Sequence, residues 1–172
     1  VLLTLGGAKN ISTNDGTSSN VHIAAAGANV YSVWQDNEVA NLQLDIFYAR
    51  SVKAGATFEA RVNLSDNSGD SIDPQVAAAG DNVYVAWTDY AAGLGDIFFR
   101  RSSDKGLTFQ SVQNLSNDSD PAVLPRIALD GANVYVTWHK PSGSSSSDIM
   151  FARSGDGGQN FSIPQNISNN TG

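Results

Sequence analysis

The chain contains no cysteine, which excludes disulfides, thiolate metal centres and cysteine nucleophiles, so its stability has to come from packing. Charged helix formers are scarce too. There are two glutamates, four lysines and one methionine, against sixteen glycines and abundant Ser and Asn, the residues of turns. This balance predicts an all-β chain. Basic residues are few, 10 against 17 acidic ones, and a net charge of −7 repels a phosphate backbone, which excludes nucleic acid as a partner. No apolar run is long enough for a membrane span, and the opening Val1, Leu2, Leu3, Thr4, Leu5 lacks the basic flank of a secretory signal. The lack of an initiator Met suggests a processed or excised product.

What is present is repetition. Hydrophobic residues make up 41% and aromatics 9% of 172 residues, enough for a packed core. Trp34, Trp87 and Trp138 are spaced 53 and 51 apart; Asp45, Asp96 and Asp148 are spaced 51 and 52 apart, as are Phe58, Phe109 and Phe161. Such a period marks an array of like units. An Asn-(Ile/Leu)-Ser triplet occurs four times, at Asn10, Asn63, Asn114 and Asn166, so one unit is only partly represented.

Each unit reads as four short antiparallel strands. In the second, Gln75 to Ala79 is followed by the turn Gly80-Asp81-Asn82 and by a strand whose alternation puts Val83, Val85 and Trp87 on one face and Tyr84 and Ala86 on the other. Both faces are apolar. A sheet apolar on both sides must be covered on both sides, and with no helix in the chain the cover is another sheet. A third strand starts at Asp96, and a fourth runs through Phe109 to about Leu115. The expectation is a β-propeller segment: blades at about residues 21–65, 75–116 and 126–168, plus a lone fourth-type strand at residues 1–12. A β-sandwich is the alternative. Propellers close with roughly four to eight blades, so three predict a homo-oligomer or polymer formed through unpaired faces, with residues 1–5 as a candidate assembly strand.

The turn Ser102-Ser-Asp104-Lys-Gly106-Leu-Thr108-Phe109 resembles the Asp-box, the Ser-x-Asp-x-Gly-x-Thr-aromatic hairpin of sialidase-like propellers. Ser154, Asp156, Gly158 and Phe161 repeat it with Asn160 for Thr, and Ser51, Gly55, Thr57 and Phe58 repeat it with Lys53 for Asp. The motif is structural: the carboxylate accepts N–H groups of its own turn, glycine supplies a positive φ, and the aromatic anchors the hairpin. The resemblance implies rim turns away from any active site. For a sialidase it further implies three arginines on a sugar carboxylate, a Tyr/Glu nucleophile pair, an acid/base Asp and an aromatic-Arg-Ile-Pro element. Leu124-Pro-Arg126-Ile-Ala128 is the nearest approach to that element, without its second proline. Arg50, Arg101 and Arg153 recur at one position and read as framework residues, and Glu38 and Glu59 are the only glutamates.

No catalytic set is assigned. The aspartates opening each third strand read as turn caps, the three tryptophans as core, and His22 and His139 as half-buried strand residues outside any metal pattern. The acidic loops from Asp66 through Asp70 to Asp73, and from Asn117 to Asp120, offer oxygens to Ca²⁺ without the spacing of a defined calcium loop. No other cofactor or metal is expected. Sequons occur at Asn10, Asn63, Asn114, Asn117, Asn160, Asn166 and Asn169, which fits an extracellular or cell-surface glycoprotein. The reading that follows is a non-catalytic module for self-assembly, adhesion or surface binding. The alternative is a sialidase-type exo-glycosidase or a glycan-binding lectin completed by further blades or another chain.

Overall fold

The computed structural model describes residues 7–38, 42–117, 119–142 and 146–168. The candidate assembly residues Val1 to Leu5 and the sequon at Asn169 lie outside them. Among the described residues, twelve strands form three antiparallel sheets, each in sequence order. The first holds β1 (Thr17–Ala26), β2 (Asn29–Asn37), β3 (Leu44–Ser51) and β4 (Val62–Asn63). The second holds β5 (Ser71–Ala79), β6 (Asn82–Asp89), β7 (Asp96–Ser102) and β8 (Gln113–Asn114). The third holds β9 (Val123–Asp130), β10 (Asn133–Pro141), β11 (Ser147–Ser154) and β12 (Gln165–Asn166).

The alternation in β6 has the consequence its two apolar faces require. Val83, Val85 and Trp87 pack with Tyr31, Val33, Ile46, Tyr48 and Leu64 of the first sheet. Tyr84 and Ala86 pack with Val134, Val136 and Trp138 of the third. The second sheet is therefore sandwiched, and Trp34, Trp87 and Trp138 are all buried. Neighbouring sheets approach most closely at β1, β5 and β9 and separate toward β4, β8 and β12, like vanes around a hub.

A polar rivet fixes two of these tryptophans. Trp87 Nε1 donates to Asp89 Oδ2 at 3.0 Å, and the same oxygen accepts from Ser71 Oγ at 2.9 Å and Asn67 Nδ2 at 2.6 Å. Trp34 and Asp36 repeat the pairing at 3.2 Å. In the third blade Lys140 takes the aspartate's place and pairs with Asp120 at 2.9 Å.

Three details differ from the sequence reading. The inner strands begin at Thr17, Ser71 and Val123, ahead of residues 21, 75 and 126. Asn20, Asp73 and Leu124 bulge there with φ of 49°, 53° and 58°, and a proline follows two of them, so alternation is interrupted inside the strand. The fourth strands contain only two ladder residues each, because between Gln110, bonded to the Arg101 carbonyl at 2.9 Å, and Gln113 the chain leaves the ladder. Finally, no strand is formed by residues 7–12. Asn10 to Thr13 instead adopt the turn that follows each fourth strand: Asn10 Oδ1 accepts from Ser12 N and Thr13 N at 3.0 and 3.3 Å, as Asn63 Oδ1 does from Ser65 N and Asp66 N at 3.0 Å. Ile11 packs against the first blade's cluster of Trp34, Phe47 and Ala49.

Candidate functional site

The three octapeptide turns are local constructions with a use between blades. In the second, Ser102 Oγ donates to Asp104 Oδ1 at 2.6 Å and accepts from Gly106 N at 2.9 Å, while Thr108 donates through N and Oγ1 to the Asp104 carboxylate at 3.0 and 2.6 Å. These donors, Ser102 foremost and then Thr108, hold the Asp104 carboxyl at about 2. Asp156 is lowered in the same way by Ser154 and Asn160, whose Nδ2 donates to Asp156 Oδ2 at 2.8 Å. In the first turn Gly55 N still reaches Ser51 Oγ at 3.0 Å, with Lys53 where the aspartate stands elsewhere. Thr57 occupies the place of Thr108 there.

The aromatics of the second and third turns anchor onto the preceding blade. Phe109 meets Tyr48 edge-on at 4.9 Å between centroids, and Phe161 meets Phe99 likewise at 4.9 Å. Gly106 has φ +73°, and a Cβ there would fall 1.8 Å from Tyr48 Oη, so close approach and backbone conformation both require glycine. Arg50 Nη1 reaches the Lys105 carbonyl at 3.0 Å and Arg101 Nη1 the Gly157 carbonyl at 3.1 Å. These repeated arginines are inter-blade braces.

The sequon triplets are rivets as well. Ser65 Oγ donates to Asp45 Oδ1 at 2.8 Å and accepts from Ile46 N at 3.0 Å; Ser116 with Asp96 and Ser168 with Asp148 repeat the arrangement at 2.8 and 3.0 Å. Burial pushes the Asp45 carboxyl up against the opposing pull of Ser65. Asn114 Oδ1 is engaged by Asn117 N at 3.0 Å, and Asn166 Oδ1 by Ser168 N at 3.0 Å.

The acidic loops are engaged by protein donors. Asp70 Oδ1 accepts from Leu44 N at 2.9 Å and Asp73 Oδ1 from Asn20 Nδ2 at 3.0 Å. Among the described residues no group of three or more His, Asp or Glu side chains is placed to hold a metal ion. His22 and His139 are exposed, contrary to the half-buried placement expected of them, because β1 is the hub edge of its sheet and β10 leaves the core at His139.

One position at which the blades differ lies at the hub. Twelve residues before each tryptophan stand His22, Gln75 and Arg126, paired respectively with Val33, Ala86 and Thr137 of the adjacent strands. Gln75 Nε2 and His22 Nε2 are 2.9 Å apart. Asn20 Nδ2 donates to Gln35 Oε1 as well as Asp73 Oδ1, both at 3.0 Å, and Asp73 N donates to Gln35 Oε1 at 3.0 Å. The His22 imidazole is lowered from its ordinary value by partial burial first and by the Arg126 charge second, with Asp73 opposing. Three amides, an imidazole, a carboxylate and a guanidinium thus gather where the blades converge. Such a set can donate to and accept from hydroxyl groups on neighbouring atoms. Sequence reasoning reached Arg126 only through a motif, read His22 as a half-buried strand residue and named Gln75 only as the start of a strand. Counting back from each tryptophan would have found all three.

No protein-family model matches the chain, and no curated protein matches it. Solved structures do. A family 117 glycoside hydrolase from the marine bacterium Zobellia galactanivorans superposes with a TM-score of 0.60 at 8% identity, covering 88% of this chain and 56% of that one. The xyloglucan PUL GH43B protein of Bacteroides ovatus gives 0.57 at 12%, covering 86% and 29%. The α-L-arabinofuranosidase of Podospora anserina in complex with cellotriose gives 0.56 at 12%, covering 93% and 54%. At these identities the likeness is one of fold, and the chain spans between about a third and just over half of those proteins. The fold is that of β-propeller blades.

Proposed function

We propose that these blades form part of a carbohydrate-binding propeller, with the hub cluster of Asn20, His22, Asp73, Gln75 and Arg126 as the sugar-contacting surface. The observation that carries this reading is the gathering of differing polar side chains at one hub register. The buried tryptophans recur in all three blades, and twelve residues before them the blades present imidazole, amide and guanidinium. The fold neighbours, glycoside hydrolases named for arabinofuranosidase and xyloglucan-related proteins, support a plant-type polysaccharide as the ligand class. The sialidase-like turns support the same broad class.

Binding is the part of such chemistry that these blades supply. Glycosidases commonly use two carboxyl groups flanking the scissile bond, and the hub cluster offers one, Asp73. Hydrolysis therefore draws its second carboxylate from elsewhere in a closed ring. An exported setting, extracellular or at the cell surface, belongs to this proposal and is supported by the acidic, cysteine-free composition and the sequons. Self-association is favoured by a separate observation, the open outer faces of the first and third blades.

Affinity electrophoresis in gels containing arabinoxylan or xyloglucan tests the reading. Retardation of the chain, weakened at least tenfold by Arg126→Ala and by Gln75→Ala, is expected. Unretarded migration in both polysaccharides, or retardation indifferent to both substitutions, overturns it.

A further inference from the structure

We propose that the outer face of the third blade receives the first blade of a second copy of this chain, so that two chains close one six-bladed ring. Each of the two internal blade interfaces is built from the same three connectors. At the hub end, the Gln35 or Thr88 side chain accepts the backbone N–H of Asp73 or Leu124 in the next blade, at 3.0 Å in both cases. At the rim, Arg50 or Arg101 donates to the carbonyl of Lys105 or Gly157. Between them, Tyr48 or Phe99 meets Phe109 or Phe161 edge-on.

The third blade carries one half of every connector on its outer side. His139 stands in the place of Gln35 and Thr88, Arg153 in that of Arg50 and Arg101, and Phe151, stacked on Tyr135 at 6.2 Å, in that of Tyr48 and Phe99. His139 and Arg153 are exposed. Ile167 is 52% exposed, whereas its counterparts Leu64 and Leu115 are 1% and 7%. The first blade carries the other halves: the Asn20 backbone at the bulge, the Ala54 carbonyl of its octapeptide turn, and Phe58. A Cβ on Gly55 would meet nothing within 4 Å, while one on Gly106 or Gly158 would strike the preceding blade. The two outer faces are thus complementary halves of an interface already made twice within the chain. Three blades from each of two copies give six, within the roughly four to eight that close a propeller.

One place is claimed twice on closure. Ile11 already lies on Trp34 and Phe47, where Ile167 of the second copy would arrive. The tripeptides are identical, Asn10-Ile11-Ser12 and Asn166-Ile167-Ser168, and form the same Asn-capped turn. Asn10 to Ser12 therefore stays on its own first blade and serves as the fourth strand of the second copy's third blade, beside β11, from which that copy's residues 166–168 withdraw.

Sedimentation equilibrium of the full chain tests this independently of any sugar. The expected mass is that of two copies of 18.1 kDa. Arg153→Glu, which sets a carboxylate against a carbonyl oxygen, weakens association at least tenfold while leaving the near-ultraviolet tryptophan signal of the folded blades. Ile167→Ser leaves the two-copy mass intact. A wild-type chain that stays at 18.1 kDa at every concentration, an Arg153→Glu chain that associates like wild type, or loss of association in Ile167→Ser each overturns the proposal.

Discussion

Arg101 belongs to the second blade, yet its Nη1 ends on the carbonyl oxygen of Gly157 in the third, at 3.1 Å, while its Nε holds Gln110 Oε1 of its own blade at 3.1 Å. One planar guanidinium spans the two sheets, a task for which its fixed fork of donors suits it. Arg101→Ala is expected to lower stability by roughly 1.5–3 kcal/mol, the range for hydrogen bonds involving a charged group. Lys53→Ala, at an exposed turn, should stay within about 0.5 kcal/mol. Urea denaturation followed by tryptophan fluorescence measures both. Equal effects would remove Arg101 from its bracing role.

The asparagine triplets predict separable structural and glycan effects. Asn63 Oδ1 accepts from Ser65 N and Asp66 N, so Asn63→Ala leaves two turn donors without their acceptor and costs roughly 1–3 kcal/mol even in unglycosylated protein. In a glycosylating host, peptide mass spectrometry should find carbohydrate at exposed Asn117 before Asn63. Full occupancy of Asn63 in folded protein would contradict the rivet.

Asp104 sets an acid limit. Its carboxyl is held at about 2 against an ordinary value of 3.8, so the unfolded chain takes up the proton first as pH falls. The stability Asp104 contributes is complete above about pH 4 and is lost as pH falls through about 2. Asp104→Asn should therefore flatten the dependence of unfolding free energy on pH in that window. An unchanged slope would remove the hydrogen-bonded carboxylate as its cause.

At the hub the sign is opposite in origin. Arg126 helps to hold the His22 imidazole below its ordinary value by charge repulsion. Arg126→Ala should raise the His22 titration midpoint, followed by NMR of the imidazole protons, and Asp73→Asn should lower it. A midpoint indifferent to Arg126 would place that side chain away from His22.

The architecture was legible in the sequence because its determinants are local and repeated. The two-sided alternation of β6 follows from residues 83–87 alone, and the spacing of Trp34, Trp87 and Trp138 carries the blade period. The inner-strand starts were hidden because a left-handed bulge at Asn20, Asp73 and Leu124 breaks the period of two from within. The inter-blade use of Arg50 and Arg101 was hidden for another reason: their acceptors are backbone carbonyls about 55 residues away, which no side-chain pattern marks. The hub cluster was visible only as a departure from the repeat. Attention to what recurs passes over register positions where the residues differ.

The most direct test of the central claim, that the hub is a sugar-binding surface, is chemical-shift mapping of the labelled chain during titration with arabinoxylan oligosaccharides. The account predicts saturable shifts at His22, Gln75 and Arg126 and their strand neighbours, with the turns at Ser102–Phe109 and Ser154–Phe161 unmoved. Shifts confined to those rim turns, or none at the hub at saturating sugar, would contradict it.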